Sequence, residues 1–171
     1  MHKVDHLDTE IINLLMEDGR MSCSEIARRI GSISERSVRY RIERLIANGV
    51  IQVTAILNPK AVGYSVTADV FIDVEPAHIL EVADHLAEYE CVSYVACATG
   101  ERDISLQVIA RDNTEVYAFV TRVIAKIPGV RKTTTSIVPI IIKDVYQWQL
   151  PRDKCVDEEG TIAKAMEQNL E

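Results

Sequence analysis

Residues 34–46 read Ser34-Glu-Arg-Ser-Val-Arg-Tyr-Arg-Ile-Glu-Arg-Leu-Ile46. Wound as a helix at about 100° per residue, this stretch sets Val38, Ile42, Leu45 and Ile46 on one side. Arg36, Tyr40 and Arg44 fall on the other side, flanked by Arg39 and Arg41. A buried stripe backed by this run of arginines suits a nucleic-acid groove, because guanidinium forks pair with phosphate oxygens and with guanine edges. A solvated amphipathic helix shows the same period. The residues that precede the stretch decide between the two.

Leu7, Ile11, Leu14 and Leu15 recur at helical spacing and predict a first helix over about 8–17, with Asp8 placed to cap it and Gly19 beyond its end. Ser22-Cys-Ser-Glu25 has the form of a capping box and opens a short second helix that buries Ile26, Ala27 and Ile30. Gly31-Ser-Ile-Ser34 is a tight turn, and the arginine helix follows until Asn48-Gly49 stops it. Two short helices, a glycine turn and a basic third helix make a winged-helix-like helix-turn-helix unit over residues 1–50. The alternative is a winged-helix module that dimerises without touching DNA. On the first reading the DNA-facing candidates are Ser34, Arg36, Ser37, Arg39, Tyr40, Arg41 and Arg44.

Charge is distributed in the same sense. The whole chain carries −7, with 19 Lys and Arg against 26 Asp and Glu. Residues 1–50 hold eight of each sign, residues 51–142 hold seven basic and eleven acidic, and residues 143–171 hold four and seven. The local basic excess is the 36–44 segment, so any positive surface is confined to one reading element. No apolar run approaches about 18 residues and the first residues lack a signal-peptide core. Cys23, Cys91, Cys97 and Cys155 form no C-x-x-C pair, which fits reduced thiols and a cytoplasmic location.

Val50 to Ile56 is rich in β-branched residues and predicts a strand leaving the first unit, one able to pair with its counterpart in a second subunit. With Asn58-Pro59 and Gly63 as punctuation, residues 51–64 read as a strand linker or hinge. From Ser65 the rhythm changes. Residues 66–74 alternate as a half-buried strand. Residues 77–89 are helical, burying Ile79, Val82, Ala83 and Leu86. Residues 92–98 and 104–110 are strands about the turn Thr99-Gly-Glu-Arg-Asp103. A helix capped by Asp112-Asn113 buries Val116, Phe119, Val120, Val123, Ile124 and Ile127. Residues 130–142 form the last strand, with Pro139 at a bulge or edge. The order over residues 65–145 is βαββαβ, a ferredoxin-like arrangement, and the fold class is α+β. Both helices cover one sheet face. The apolar run Ile137-Val-Pro-Ile-Ile-Ile142 argues that another subunit meets the molecule there. Residues 146–171 are an acidic extension in which Ile162, Met166 and Leu170 recur every four residues.

The order of these pieces resembles the Lrp/AsnC group of leucine-responsive and asparagine regulators, the feast/famine transcription factors. The resemblance covers about residues 5–146. It rests on Leu7-Asp8, Asp18-Gly-Arg20, the Val38–Ile42 core of the arginine helix, and Asn48-Gly-Val-Ile51. It rests also on Leu57-Asn-Pro-Lys-Ala-Val-Gly63, Thr99-Gly-Glu-Arg-Asp103, and Pro128-Gly-Val130 with Thr133 and Thr135. It implies a sequence-specific regulator of double-stranded DNA, homodimers joined through the βαββαβ sheets and often assembled to octamers, and a small effector, commonly an amino acid, bound between subunits near the turn. The effector candidates are then Thr99, Gly100, Arg102, Asp103, Thr133 and Thr135. Gly100 permits close backbone approach. Asp103 can accept from an ammonium group, while Glu101 and Arg102 add one charge of each sign. Thr133 and Thr135 share a side of the last strand. A polar β-turn with two ordinary strand threonines is the plainer alternative.

Other constellations are weaker. His78 and His85 lie on one helix with Glu81 between them, which reads as a solvated face before it reads as a metal site. There is no phosphate loop and no Ser/His/Asp set, so no catalytic residue, cofactor or metal is expected. Two further readings stand beside the regulator. One is a tetrapyrrole enzyme of the same two-domain build, resembling the sirohaem decarboxylases, which tend to lose the arginine helix and the T-G-x-x-D turn. The other is an effector-binding module that does not use DNA.

Overall fold

The computed structural model describes residues 4–151, so the expected recurrence of Ile162, Met166 and Leu170, and Cys155, lie outside the described residues. The chain divides into two compact units. One comprises the residues up to Ile56 together with the stretch from Lys143 onward, and the other is Leu57–Ile142.

The first unit holds α1 (His6–Glu17), α2 (Cys23–Ile30) and α3 (Glu35–Ala47). Its core is Ile11, Ile26 and Val38, with Leu14, Leu15, Ala27, Ile30 and Ile42 packed around them. One apolar residue from each helix meets at the centre, which is why three short helices hold together. α1 begins two residues earlier than the sequence pattern suggests, and Asp5, not Asp8, is its cap. Asp5 is extended and its carboxylate accepts from the Asp8 N–H, while the Asp8 carboxylate accepts from the Asp5 N–H. The pair is thus a reciprocal capping box one turn upstream of the expected start. Ser22 caps α2 as expected, but the Glu25 side chain turns to Arg28 and Arg29. Gly31 closes α2 at φ 76°, a conformation that favours glycine.

Residues 51–58 form no strand. The β-branched composition that predicts one is satisfied only when a neighbouring strand supplies the ladder, and no described residue does so. Val53, Ile56 and Leu57 are exposed. Near the other end of the described chain, the Asn13 side chain on α1 donates to the Leu150 carbonyl at 3.2 Å and accepts from its N–H at 3.0 Å. This two-bond clasp groups the stretch after Lys143 with the helical unit.

The second unit runs β1 (Val66–Val74), α4 (Ile79–Ala87), β2 (Val92–Cys97), β3 (Ile104–Ala110), α5 (Asn113–Arg122) and β4 (Val130–Val138). The sheet is antiparallel throughout, in the order β2-β3-β1-β4. Alternate side chains of β1 and β3 (Val70, Ile72 and Val74 with Ile104, Leu106 and Val108) bury against Val82, Ala83 and Leu86 of α4 and against Ile124. Residues paired across strands share a face. The opposite face therefore carries Asp69, Phe71 and Asp73 of β1 beside Ser105 and Gln107 of β3. There Gln107 donates to Asp69 at 3.2 Å.

β4 ends at Val138 and not at Ile142. Pro139 has no N–H to continue the ladder, and Ile140, Ile141 and Ile142 beyond it are exposed. α5 ends at Arg122 and passes into a 3-10 turn, Ile124–Lys126, that still delivers Ile124 to the core. Among the described residues, no helix is long and apolar enough to cross a membrane.

Candidate nucleic-acid interface and effector turn

Ser34 fixes where α3 begins. Its hydroxyl accepts from the Ser37 N–H, so the first turn of the helix is anchored in the glycine turn. Val38 and Leu45 are fully buried, which sets the rotation of the helix. Ser34, Arg36, Ser37, Arg39 and Tyr40 consequently lie at the surface, Tyr40 with 64% of its area exposed. Arg39 pairs with Glu35 at 3.0 Å, one turn earlier. Arg36 has no carboxylate partner among the described residues. Ile46, expected on the buried stripe, is exposed; at about 100° per residue it lies at the edge of the stripe, well round from Val38.

Arg41 and Arg44 differ from the other arginines. Arg41 Nη1 lies 2.6 Å from Asp8 and 2.8 Å from Asp5, and Arg44 Nη2 lies 3.0 Å from Asp8. The Asp8 side chain is wholly buried, Arg41 is 19% exposed and Arg44 is 33% exposed. Two of the four arginines expected to face DNA are therefore committed to carboxylates at the start of α1. Hydrogen bonding from Arg41 holds the Asp5 carboxyl below the usual carboxylate range, and Asp5 in turn raises Arg41. Sequence reasoning missed this cluster because its partners are 33 to 36 residues apart. A signal was present nonetheless. Asp8 precedes the buried Ile11 by three and Ile12 by four, so an acid occupies the apolar row of α1 and calls for a buried cation.

A second charge cluster braces α2. Glu25 meets Arg28 at 2.7 Å and Arg29 at 3.1 Å, and Arg29 reaches back to Glu17 at 3.0 Å. The two arginines pull the Glu25 carboxyl down to about 2.

The turn between β2 and β3 is held by Asp103. Its Oδ2 accepts from the Val74 N–H at 2.8 Å, its own N–H donates to the Ile72 carbonyl, and its carbonyl accepts from Ala98. One carboxylate oxygen is thus occupied by the end of β1, a role the sequence does not announce. Thr99 and Gly100 are exposed at the tip, Gly100 at φ 140°. Arg102 lies 3.3 Å from Asp73. Thr133 and Thr135 do share a face, but they pair with Ile72 and Val70 and so lie on the helix-covered side. Asp73 pairs with Lys132 on the other side. The threonines and the Arg102–Asp73 pair are at one end of the sheet but on opposite faces, and they do not converge on one pocket within the unit.

His78 Nδ1 lies 3.2 Å from the Glu81 carboxylate, which can only accept, and His85 meets the Tyr89 hydroxyl at 3.3 Å. Among the described residues no three His, Cys, Asp or Glu side chains gather as metal ligands would. Cys23, Cys91 and Cys97 are free thiols, and burial pushes the Cys91 thiol up.

Comparison with known proteins matches these two halves separately. Residues 4–52 match the winged helix-turn-helix DNA-binding family, and residues 67–147 match the Lrp/AsnC ligand binding domain. The chain is 44% identical over 145 residues to an uncharacterized HTH-type transcriptional regulator of Pyrococcus abyssi, covering 84% of this chain and 91% of that one. It is 35% identical over 136 residues to the HTH-type transcriptional regulator LrpA of Pyrococcus horikoshii, covering 79% and 96%. Among solved structures it is similar to a transcriptional regulator of Neisseria meningitidis in complex with L-Met, at a TM-score of 0.79 and 26% identity, covering 87% and 97%. A winged helix-turn-helix unit is thus joined in one chain to an Lrp/AsnC ligand-binding unit, and the chain belongs to the Lrp/AsnC family of DNA-binding transcriptional regulators.

Proposed function

We propose that α3 enters the major groove and reads sequence with Arg36, Ser37, Arg39 and Tyr40, with Ser34 at the phosphate backbone. The observation that carries this reading is Arg36, an exposed guanidinium on the outer edge of α3 with no carboxylate partner among the described residues. Arg41 and Arg44 belong to the frame that positions the helix. The relatives are regulators, and the chain is read as one and not as an enzyme.

The ligand of the second unit is read as an amino acid, in keeping with the Neisseria relative solved with L-Met. It sits between subunits at the Thr99–Asp103 turn, with Gly100 and Arg102 offering donors. Thr133 and Thr135 contribute only if a neighbouring subunit closes the site on their side of the sheet. The protein works in the cytoplasm as a homodimer joined through the polar sheet face around Phe71, and dimers can assemble further to octamers.

Arg36→Ala tests the DNA reading. Loss of a bidentate base contact costs about 1–3 kcal/mol at the cognate site, and loss of a phosphate contact instead flattens the salt slope by about one. Anisotropy titrations over a salt series separate the two. Affinity and slope both unchanged would remove Arg36 from the interface.

A further inference from the structure

Arg41 and Arg44 stand one helical turn beyond Ser37 and Tyr40 on α3, in the same rows as those exposed side chains. A released arginine there has the reach to meet a phosphate. Instead each guanidinium is turned toward α1, where Asp8, wholly buried, meets both and Asp5 adds a second carboxylate on Arg41. Stability alone does not call for this arrangement. Buried ion pairs are often no better than apolar packing, because desolvation offsets the attraction. Their consequence for DNA is more definite. Arginines that reach phosphates strengthen binding to every sequence alike, since the contact carries no base information.

Resting on the reading of α3 as the groove helix, we propose that Asp5 and Asp8 are positioning residues for the DNA interface: they withhold Arg41 and Arg44 from the phosphate backbone and so limit the sequence-independent affinity for DNA. Asp8, which meets both arginines, has the larger share and acts on DNA only through the groups it holds. The protein then meets non-cognate duplex with a reduced set of cations, in keeping with a helical segment whose charges balance at eight of each sign over residues 1–50. Removal of the carboxylates does the opposite of ordinary structural damage. It adds charge to the interface and strengthens binding to every duplex.

The test uses the full chain, wild type and the variants Asp5→Asn and Asp8→Asn, both of which keep a side-chain oxygen for the α1 capping box. Each is titrated against an unselected random duplex and against the duplex that the wild type selects, at salt from about 50 to 200 mM. For the random duplex the log–log salt slope should steepen by about one to two in Asp8→Asn, and by less in Asp5→Asn. Affinity for both duplexes should rise while the ratio of selected to random affinity stays near that of wild type, since a phosphate contact carries no base information. Arg41→Gln and Arg44→Gln added to Asp8→Asn should return the slope to that of wild type. Weaker binding to both duplexes without a steeper slope would make the cluster a brace only and overturn the proposal. If Asp8→Asn fails to fold by circular dichroism, Asp5→Asn decides alone, and an unchanged slope there overturns it equally. Wild type that retains neither duplex would overturn the groove-helix reading itself, a failure distinct from these.

Discussion

Asp103 shows how one residue changes meaning when its partners are known. Its place in a Thr-Gly-x-x-Asp turn suggests a carboxylate waiting for an ammonium group, yet Oδ2 already accepts the Val74 N–H at 2.8 Å. Asp103→Ala would leave that backbone donor unsatisfied and cost about 1–3 kcal/mol of stability in the ligand-binding unit. Asp103→Asn, which keeps an acceptor, should recover most of that stability while losing the charge. Urea melts of the two variants check this, and equal melts would mean that the backbone bond contributes nothing. Arg44 is the parallel case on α3. Arg44→Ala should destabilise the helical unit by roughly 1–3 kcal/mol, since buried Asp8 loses a charged partner and retains Arg41. Arg36→Ala should leave the melt unchanged. A thermal melt with Arg44→Ala as stable as wild type would contradict the ion-pair assignment.

At the level of elements, local signals were legible and long-range ones were not. β3 runs over Ile104–Ala110 as its alternation predicts, because every second residue meets the helix layer. The start of α3 follows from Ser34 alone. The segment 50–56 reads as a strand in isolation, but a strand is completed by a neighbour that composition does not supply. β4 stops at Val138 because Pro139 ends the ladder, although the isoleucines beyond it have every β preference. The Asp5–Asp8–Arg41–Arg44 cluster was not legible, since no periodicity relates α1 to α3. The face on which Thr133 and Thr135 lie followed only from the β1–β4 register.

Two predictions belong at this scale. Gly129 enters β4 at φ 89°, and a Cβ there would sit 2.7 Å from His78 Cβ. Gly129→Ala should therefore lower the melting of the ligand-binding unit by about 1–3 kcal/mol through backbone strain and overpacking, and a melt like that of wild type would show that the His78 turn yields freely. The brace on α2 is pH-dependent. Glu25 titrates near 2 in the folded chain against 4.5 when free. A depressed carboxyl stabilises the fold fully above its unfolded value, and that contribution is lost as pH falls through the folded value. Wild type should thus lose its advantage over Glu25→Gln between pH 4.5 and about 2. High salt should shrink the advantage at neutral pH, because the pair faces solvent. An advantage that persists undiminished at pH 2 would exclude the arginine pairing as its source.

For the whole molecule, the proposed function has two copies present two α3 helices, with Arg36 at the outer edge of each, to a two-fold site. Ile140, Ile141 and Ile142 after Pro139 are exposed, and in the proposed dimer they are apolar surface available to a second chain. A two-fold protein selects a two-fold sequence, with half-sites one helical turn or a multiple of it apart. Selection of bound fragments from random DNA by wild type and by Arg36→Ala, each repeated with a panel of amino acids, measures this directly. The expected wild-type pool is a near-palindrome with half-sites about 10–10.5 base pairs apart, or a multiple of that, and the Arg36→Ala pool differs from it. In Arg36→Ala the preference should relax at matching positions of both half-sites. An asymmetric or unenriched wild-type pool, or an Arg36→Ala pool identical to that of wild type, would contradict it.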